Sequence, residues 1–216
     1  MNVQNQDIAA VEEGRTSTVM FSAERDKVLL IGDSLRVGYC THVQRFLKAD
    51  VEVTYPDENC RNTQYILTNL RRWKNMFRDV SKVKLVCFNA GHWDIAHWNC
   101  SEESLTSEPE YARNIKKIII QLRLIFPNAK IVFFTTSPIN VAFYNKWMNP
   151  RTNEEVKRYN ELAVAVADRE GVIVEDMNSV IAAFGNECYK DYAHLTDEYN
   201  EKLAMYVAGV VDKHLS

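Results

Sequence analysis

Apolar residues in this chain come in short blocks separated by longer amphipathic stretches. KVLLIGD (27–33), VEVTYP (51–56), VKLVCFNAG (83–91), KIVFFTTSP (130–138) and GVIVED (171–176) are runs rich in β-branched and aromatic residues. Such runs, apolar on both faces, predict strands buried on both sides, as parallel sheets require. Between them apolar residues return at helical intervals over 36–48, over 62–80 through Ile66, Leu70 and Trp73, and over 110–126 and 153–169. A short helical stretch near 179–184 and a last helix over 196–214 follow the fifth strand. This alternation predicts an α/β fold, a three-layer α/β/α sandwich around a five-stranded parallel sheet. Right-handed crossovers place helices on both faces, and ligands of such sheets bind beyond the carboxyl ends of the strands. Residues 1–25 carry no such pattern and read as a loosely ordered segment ahead of a single domain over 26–216.

Composition narrows the partners. With 216 residues, 46% of them hydrophobic and 25% charged, the chain can bury one full core. A formal net charge of −3 gives no basic footprint for nucleic acid, which is not expected as a partner. No apolar run reaches the roughly 20 residues that span a bilayer. The five cysteines are widely spaced, odd in number and without a CxxC pair, so they read as free thiols rather than as a disulfide scaffold or zinc site. With a polar start bearing Glu12 and Glu13, unlike a secretory signal, these features predict a cytoplasmic protein.

Candidate chemistry falls where the sheet puts it. The first strand ends in Ile31, Gly32, Asp33, Ser34, Leu35, placing a hydroxyl at a strand-to-helix turn. There a serine is exposed as a nucleophile, with its own N–H near the positive end of the helix. Ser34 or Asp33 could instead simply cap that helix. After the fifth strand, Asp191 and His194 form a DxxH turn in which a carboxylate can orient an imidazole that takes a proton from a serine.

Four segments, IGDSL (31–35), ENCRNT (58–63), NAGHWD (89–94) and DYAH (191–194), resemble in order the four blocks of the SGNH (GDSL) hydrolases. The resemblance covers most of the chain and implies a flavodoxin-like fold and an esterase or acetylhydrolase activity that needs no cofactor and no metal. It implies Ser34 as nucleophile, His194 as base and Asp191 as its orienter. The family polarises the carbonyl with a glycine N–H of the second block and an asparagine of the third. Here Cys60 stands at the expected glycine and Trp93 replaces the asparagine, so the oxyanion donors implied are the N–H groups of Ser34 and Cys60 with the side chain of Asn89. Asn59 and Asn62 are poorer alternatives.

Trp93, Trp98, Phe143, Tyr144 and Trp147 fall in loops after the third and fourth strands, where they could stack on a sugar or pack the loops. Asp33, Trp93 and Trp147 are the candidate substrate contacts. Arg36 and Arg61 could meet an anionic group or be tied up in salt bridges. His92 and His97 lack a further ligand that would make a metal site. The expected reaction is removal of a small acyl group, acetyl from a carbohydrate, so the expected partner is a small-molecule or saccharide ester. Thioester or lysophospholipid hydrolysis, acyl transfer on the same triad, and a silent binding protein of the same fold are the alternatives.

Overall fold

The computed structural model describes residues 25–145 and 148–215. The N-terminal segment up to residue 24 and Trp147 therefore lie outside the described residues. Five strands, β1 (Asp26–Ile31), β2 (Val51–Thr54), β3 (Val83–Phe88), β4 (Lys130–Phe134) and β5 (Ile173–Glu175), form one parallel sheet in the order β2-β1-β3-β4-β5. The α/β sandwich expected from the sequence is the fold observed.

Strand register explains why the strands are apolar throughout. β1 pairs with β3 through Leu29 opposite Val86 and Leu30 opposite Cys87. Successive side chains alternate between two cores. Leu29, Ile31, Val86, Phe88 and Phe133 face one layer; Val28, Leu30, Leu85, Cys87, Val132 and Phe134 face the other. The first layer is covered by α2 (Thr63–Lys74), α4 (Glu108–Ile125) and α5 (Asn153–Arg169), the second by α1 (Ser34–Val43), α6 (Met177–Phe184) and α7 (Asp197–Leu215). A short helix, α3 (His92–Ile95), lies just after β3, where the sequence predicts only loop.

The strands are shorter than their apolar runs. Ladder pairing stops at Ile31 and Phe88 between β1 and β3 and at Phe133 between β3 and β4. Gly32–Asp33, Ala90–Gly91 and Thr136–Ser137 are still buried but leave the sheet and turn over its carboxyl edge. Burial there serves the site rather than the ladder. Helix α1 starts at Ser34 and stops at Val43, earlier than the periodicity suggests. The next residue, Gln44, turns to the edge strand, accepting from Val53 N–H (2.9 Å) and donating to the Val51 carbonyl (3.0 Å). Helix α2 ends at Lys74 and is capped at Asn75, after which Phe77 folds back into the core.

Strand order switches between β1 and β3, with β2 added on one side of β1 and β3 to β5 on the other, which leaves a crevice where the loops after β1 and β3 part. Loops after β1, β3 and β5 meet there.

Candidate active site

Ser34 is the first residue of α1, so its N–H has no intrahelical acceptor. Asp33 caps the helix by accepting from the Leu35 N–H at 3.1 Å. The turn is tight. A Cβ on Gly32 would sit 2.0 Å from Asn89 Oδ1 and 2.8 Å from the Arg36 Cβ, which restricts this position to glycine by space.

His194 arrives from the other end of the chain on a compact loop. Lys190 N–H donates to the His194 carbonyl at 2.9 Å, and Thr196 N–H to that of Cys188 at 2.9 Å. Within this loop Asp191 Oδ1 accepts from the N–H groups of Ala193 (3.0 Å) and His194 (2.9 Å), while both carboxylate oxygens lie 2.9 Å from His194 Nδ1. Burial acts to raise the Asp191 carboxyl, but these N–H groups and the imidazole outweigh it and hold it below the ordinary aspartate value. On the other side of the ring, His194 Nε2 is 2.8 Å from Ser34 Oγ. Carboxylate, imidazole and hydroxyl thus stand in line, with Nδ1 placed to keep its proton toward Asp191 and Nε2 to receive one from Ser34.

Ser34 and His194 open onto a cleft of about 230 Å³ whose other walls include Asn59, Trp93, Trp98 and Arg151. The rings of Trp93 and Trp98 pack 4.9 Å apart. Tyr144 lies against Tyr192 of the loop that carries His194 at 5.8 Å, and Phe143 beside it is exposed.

Several residues expected in the site are placed otherwise. Asp33 is fully buried and faces the interior, so it is a helix cap and not a substrate contact. The Cys60 N–H donates to the Gly32 carbonyl at 3.0 Å, so it is engaged beneath the turn and does not point at an oxyanion. Asn89 is also buried, packed under Gly32 with its amide beside the Asp33 carboxyl, and it braces the turn from below instead of lining the cleft. The left-handed backbone of the second block falls one residue after Cys60, at Arg61 (φ 52°), whose N–H donates to Asn59 Oδ1 at 2.8 Å. Arg61 stacks its guanidinium on Tyr65 at 4.8 Å and lies near Trp93 at 5.9 Å.

Arg36 turns inward. Only 1% exposed, it donates from Nη1 to the Pro56 carbonyl (2.9 Å) and from Nη2 to the carbonyls of Glu58 and Gly32 (the latter 3.4 Å), and both Cys40 and Cys60 sulfurs lie 3.6 Å from it. It is a clamp that fixes the second-block loop against the turn at Gly32–Ser34. Arg151, which sequence reasoning overlooked, enters the cleft from the loop before α5.

His92 and His97 do not converge. His92 Nε2 is 2.8 Å from Ser137 Oγ, and burial, followed by the charges of Arg151 and His194, keeps its pKa well below the usual value. His97 instead bridges Glu155 (2.7 Å) and the Ser101 carbonyl (2.9 Å). Among the described residues no group of three or more His, Cys, Asp or Glu side chains could hold a metal ion.

Asp94 ties the third block to the second. It accepts from Thr63 Oγ1 at 2.6 Å and from the Thr63 N–H at the start of α2. Burial nevertheless raises its pKa to about 6. A folded-state value above the ordinary one means stability that is fully present below pH 4 and lost as pH rises toward 6. Asp94→Asn should therefore gain on the wild type in urea-unfolding midpoint between pH 4 and 6 and keep a constant difference above. An unchanged difference across that window would refute this role of burial.

A hydroxyl, an imidazole and a carboxylate in line beyond the carboxyl edge of a doubly wound sheet define the serine-hydrolase class of arrangement. The GDSL-like Lipase/Acylhydrolase family model matches residues 30–202, and the chain belongs to that family. A GDSL esterase/lipase of Arabidopsis thaliana is 26% identical over 111 residues, covering 47% of this chain and 43% of that protein; the match thus spans less than half of that relative. Among solved structures, an acetyl xylan esterase superposes with a TM-score of 0.68 at 18% identity, covering 86% of this chain and 99% of that one. The aryl esterase of M. smegmatis does so with a TM-score of 0.71 at 17% identity over 88% and 99%. At these identities the structural matches establish a shared fold.

Proposed function

We propose that the chain hydrolyses a small acyl ester through an acyl-Ser34 intermediate, the observation that carries this being the Ser34–His194–Asp191 alignment. His194 Nε2 takes the Ser34 proton as Oγ bonds to the acyl carbon, and then gives it to the departing alkoxide. Water, deprotonated by the same nitrogen, releases the acid and restores Ser34. Asp191 fixes the imidazole and stabilises its cation. The Ser34 N–H polarises the carbonyl, joined by the Arg61 N–H once Asn59 Oδ1 yields it, in the part expected of Cys60.

Acetyl on a carbohydrate is the ester we favour. The cleft is small, paired indole rings and two asparagines, Asn59 and Asn149, line it, and an acetyl xylan esterase shares the fold. Purified protein should hydrolyse 4-nitrophenyl acetate at least tenfold faster, in kcat/KM, than the octanoate. A preference for octanoate would contradict the acetyl assignment and favour a lysophospholipase or thioesterase; transfer to added alcohols in preference to water would favour an acyltransferase. Inert wild-type protein would favour a silent binder. Among the described residues no helix is long and apolar enough to cross a membrane. The five cysteines, all free and four of them buried, support placing the protein in the reducing cytoplasm.

A further inference from the structure

Arg151 differs from the other arginines near the site. The Arg36 fork is occupied by backbone carbonyls, and Arg61 lies on an aromatic face. Arg151 shares the cleft wall with Ser34 and His194, and among the described residues no carboxylate lines that space and Arg151 is its permanent cation. Its backbone is fixed by Tyr192 of the catalytic loop, whose hydroxyl donates to the Arg151 carbonyl at 2.6 Å. Its Nη1 donates to the His92 carbonyl at 2.6 Å and its guanidinium lies over the Tyr192 ring at 5.5 Å, yet its Nε is buried without a hydrogen-bond partner. Among the described residues it makes no ion pair with a carboxylate. Asp33, a carboxylate whose charge acts on it, is sealed beneath the turn that carries Ser34.

A guanidinium partly withdrawn from water without a contacting anion is poorly compensated, and an arriving anion removes that deficit through charge-assisted hydrogen bonds. We infer that Arg151 is a specificity residue selecting esters that carry a carboxylate or similar anion close to the scissile bond. This rests on the ester-hydrolase reading. The anion can sit on the acyl side, as in a dicarboxylic monoester, or on the alcohol side, as in an acetylated acidic sugar.

Two matched pairs separate these sources. For the acyl side, mono-4-nitrophenyl succinate is compared with 4-nitrophenyl butyrate; for the alcohol side, 4-acetoxybenzoate is compared with 4-acetoxybenzamide. In at least one pair the anionic member should have a kcat/KM about 10- to 100-fold above its neutral partner. Arg151→Met should reduce that ratio at least tenfold, mainly through KM, and Arg151→Lys should retain part of it. Added salt should lower the ratio in the wild type and leave it flat in the Met variant. Ratios near one in both pairs, with Ser34-dependent hydrolysis of the neutral esters intact, would overturn the inference while leaving the esterase reading in place. Equal losses on both members in Arg151→Met would also overturn it, pointing to carbonyl polarisation instead. Binding gives a readout independent of turnover. By calorimetry, 4-acetoxybenzoate or succinate monoester should bind Ser34→Ala at least tenfold more tightly than Ser34→Ala/Arg151→Met, and equal affinities would contradict the inference even if no ester is turned over.

Discussion

Replacing Ser34 by alanine is expected to lower kcat for 4-nitrophenyl acetate by about 10⁴- to 10⁶-fold with the fold intact. In the proposed mechanism the hydroxyl bonds to the acyl carbon, and His194 Nε2, 2.8 Å away, is placed to take its proton. His194→Ala should cost about as much, and the double variant little more, because the two side chains act as a unit. Asp191→Ala should cost less, since the Asp191 carboxylate orients and stabilises the ring without itself exchanging a proton. Circular dichroism and melting temperature should stay near wild type in all of them, as the His194 and Asp191 side chains are about 40% exposed. Full activity in Ser34→Ala, or additive losses in the double variant, would refute the relay.

The second large effect is structural. Arg36→Ala should destabilise the domain by about 3 to 5 kcal/mol, since a fully buried charged side chain holding several carbonyls is removed and those groups lose their partners. For a domain of this size that lowers the melting temperature by roughly 10 °C. Arg36→Lys should recover little, because an ammonium cannot reach the Pro56 and Glu58 carbonyls from one stem as a planar fork does. Activity should fall with stability, as the 56–60 loop that walls the cleft at Asn59 is released from the nucleophile turn. A melting shift under 2 °C in Arg36→Ala would show that the loop holds itself.

The layered fold was legible because its physical cause lies in single segments. Strands covered on both faces must be apolar at every position, and Leu29, Leu30 and Ile31 announce that directly. That Ser34, Asp191 and His194 come together was legible for a related reason: Ser34 directly follows β1 and the DxxH turn comes later than β5, beyond α6, and this topology gathers such groups past the carboxyl ends of its strands. Direction was harder to read than position. Nothing local says that Asn89 turns toward Asp33 or that the Cys60 N–H meets the Gly32 carbonyl, since both facts depend on how three separate loops close over the sheet edge. Arg36 did carry a signal. It falls in the buried stripe of α1 with Tyr39, Cys40 and Val43, and an arginine on the inward face of a helix needs internal acceptors. Arg151 carried none, standing alone in a Pro-Arg-Thr loop whose neighbour Thr152 opens the α5 capping box.

The central claim is that Ser34 is a nucleophile activated by His194, and covalent trapping tests it most directly. An alkyl fluorophosphonate should transfer its phosphonyl group to Ser34 Oγ with loss of fluoride, giving one adduct per chain that peptide mass mapping places on the segment holding Ser34. The rate should collapse in His194→Ala. An adduct on another residue, or continued ester hydrolysis by protein fully labelled at Ser34, would contradict it.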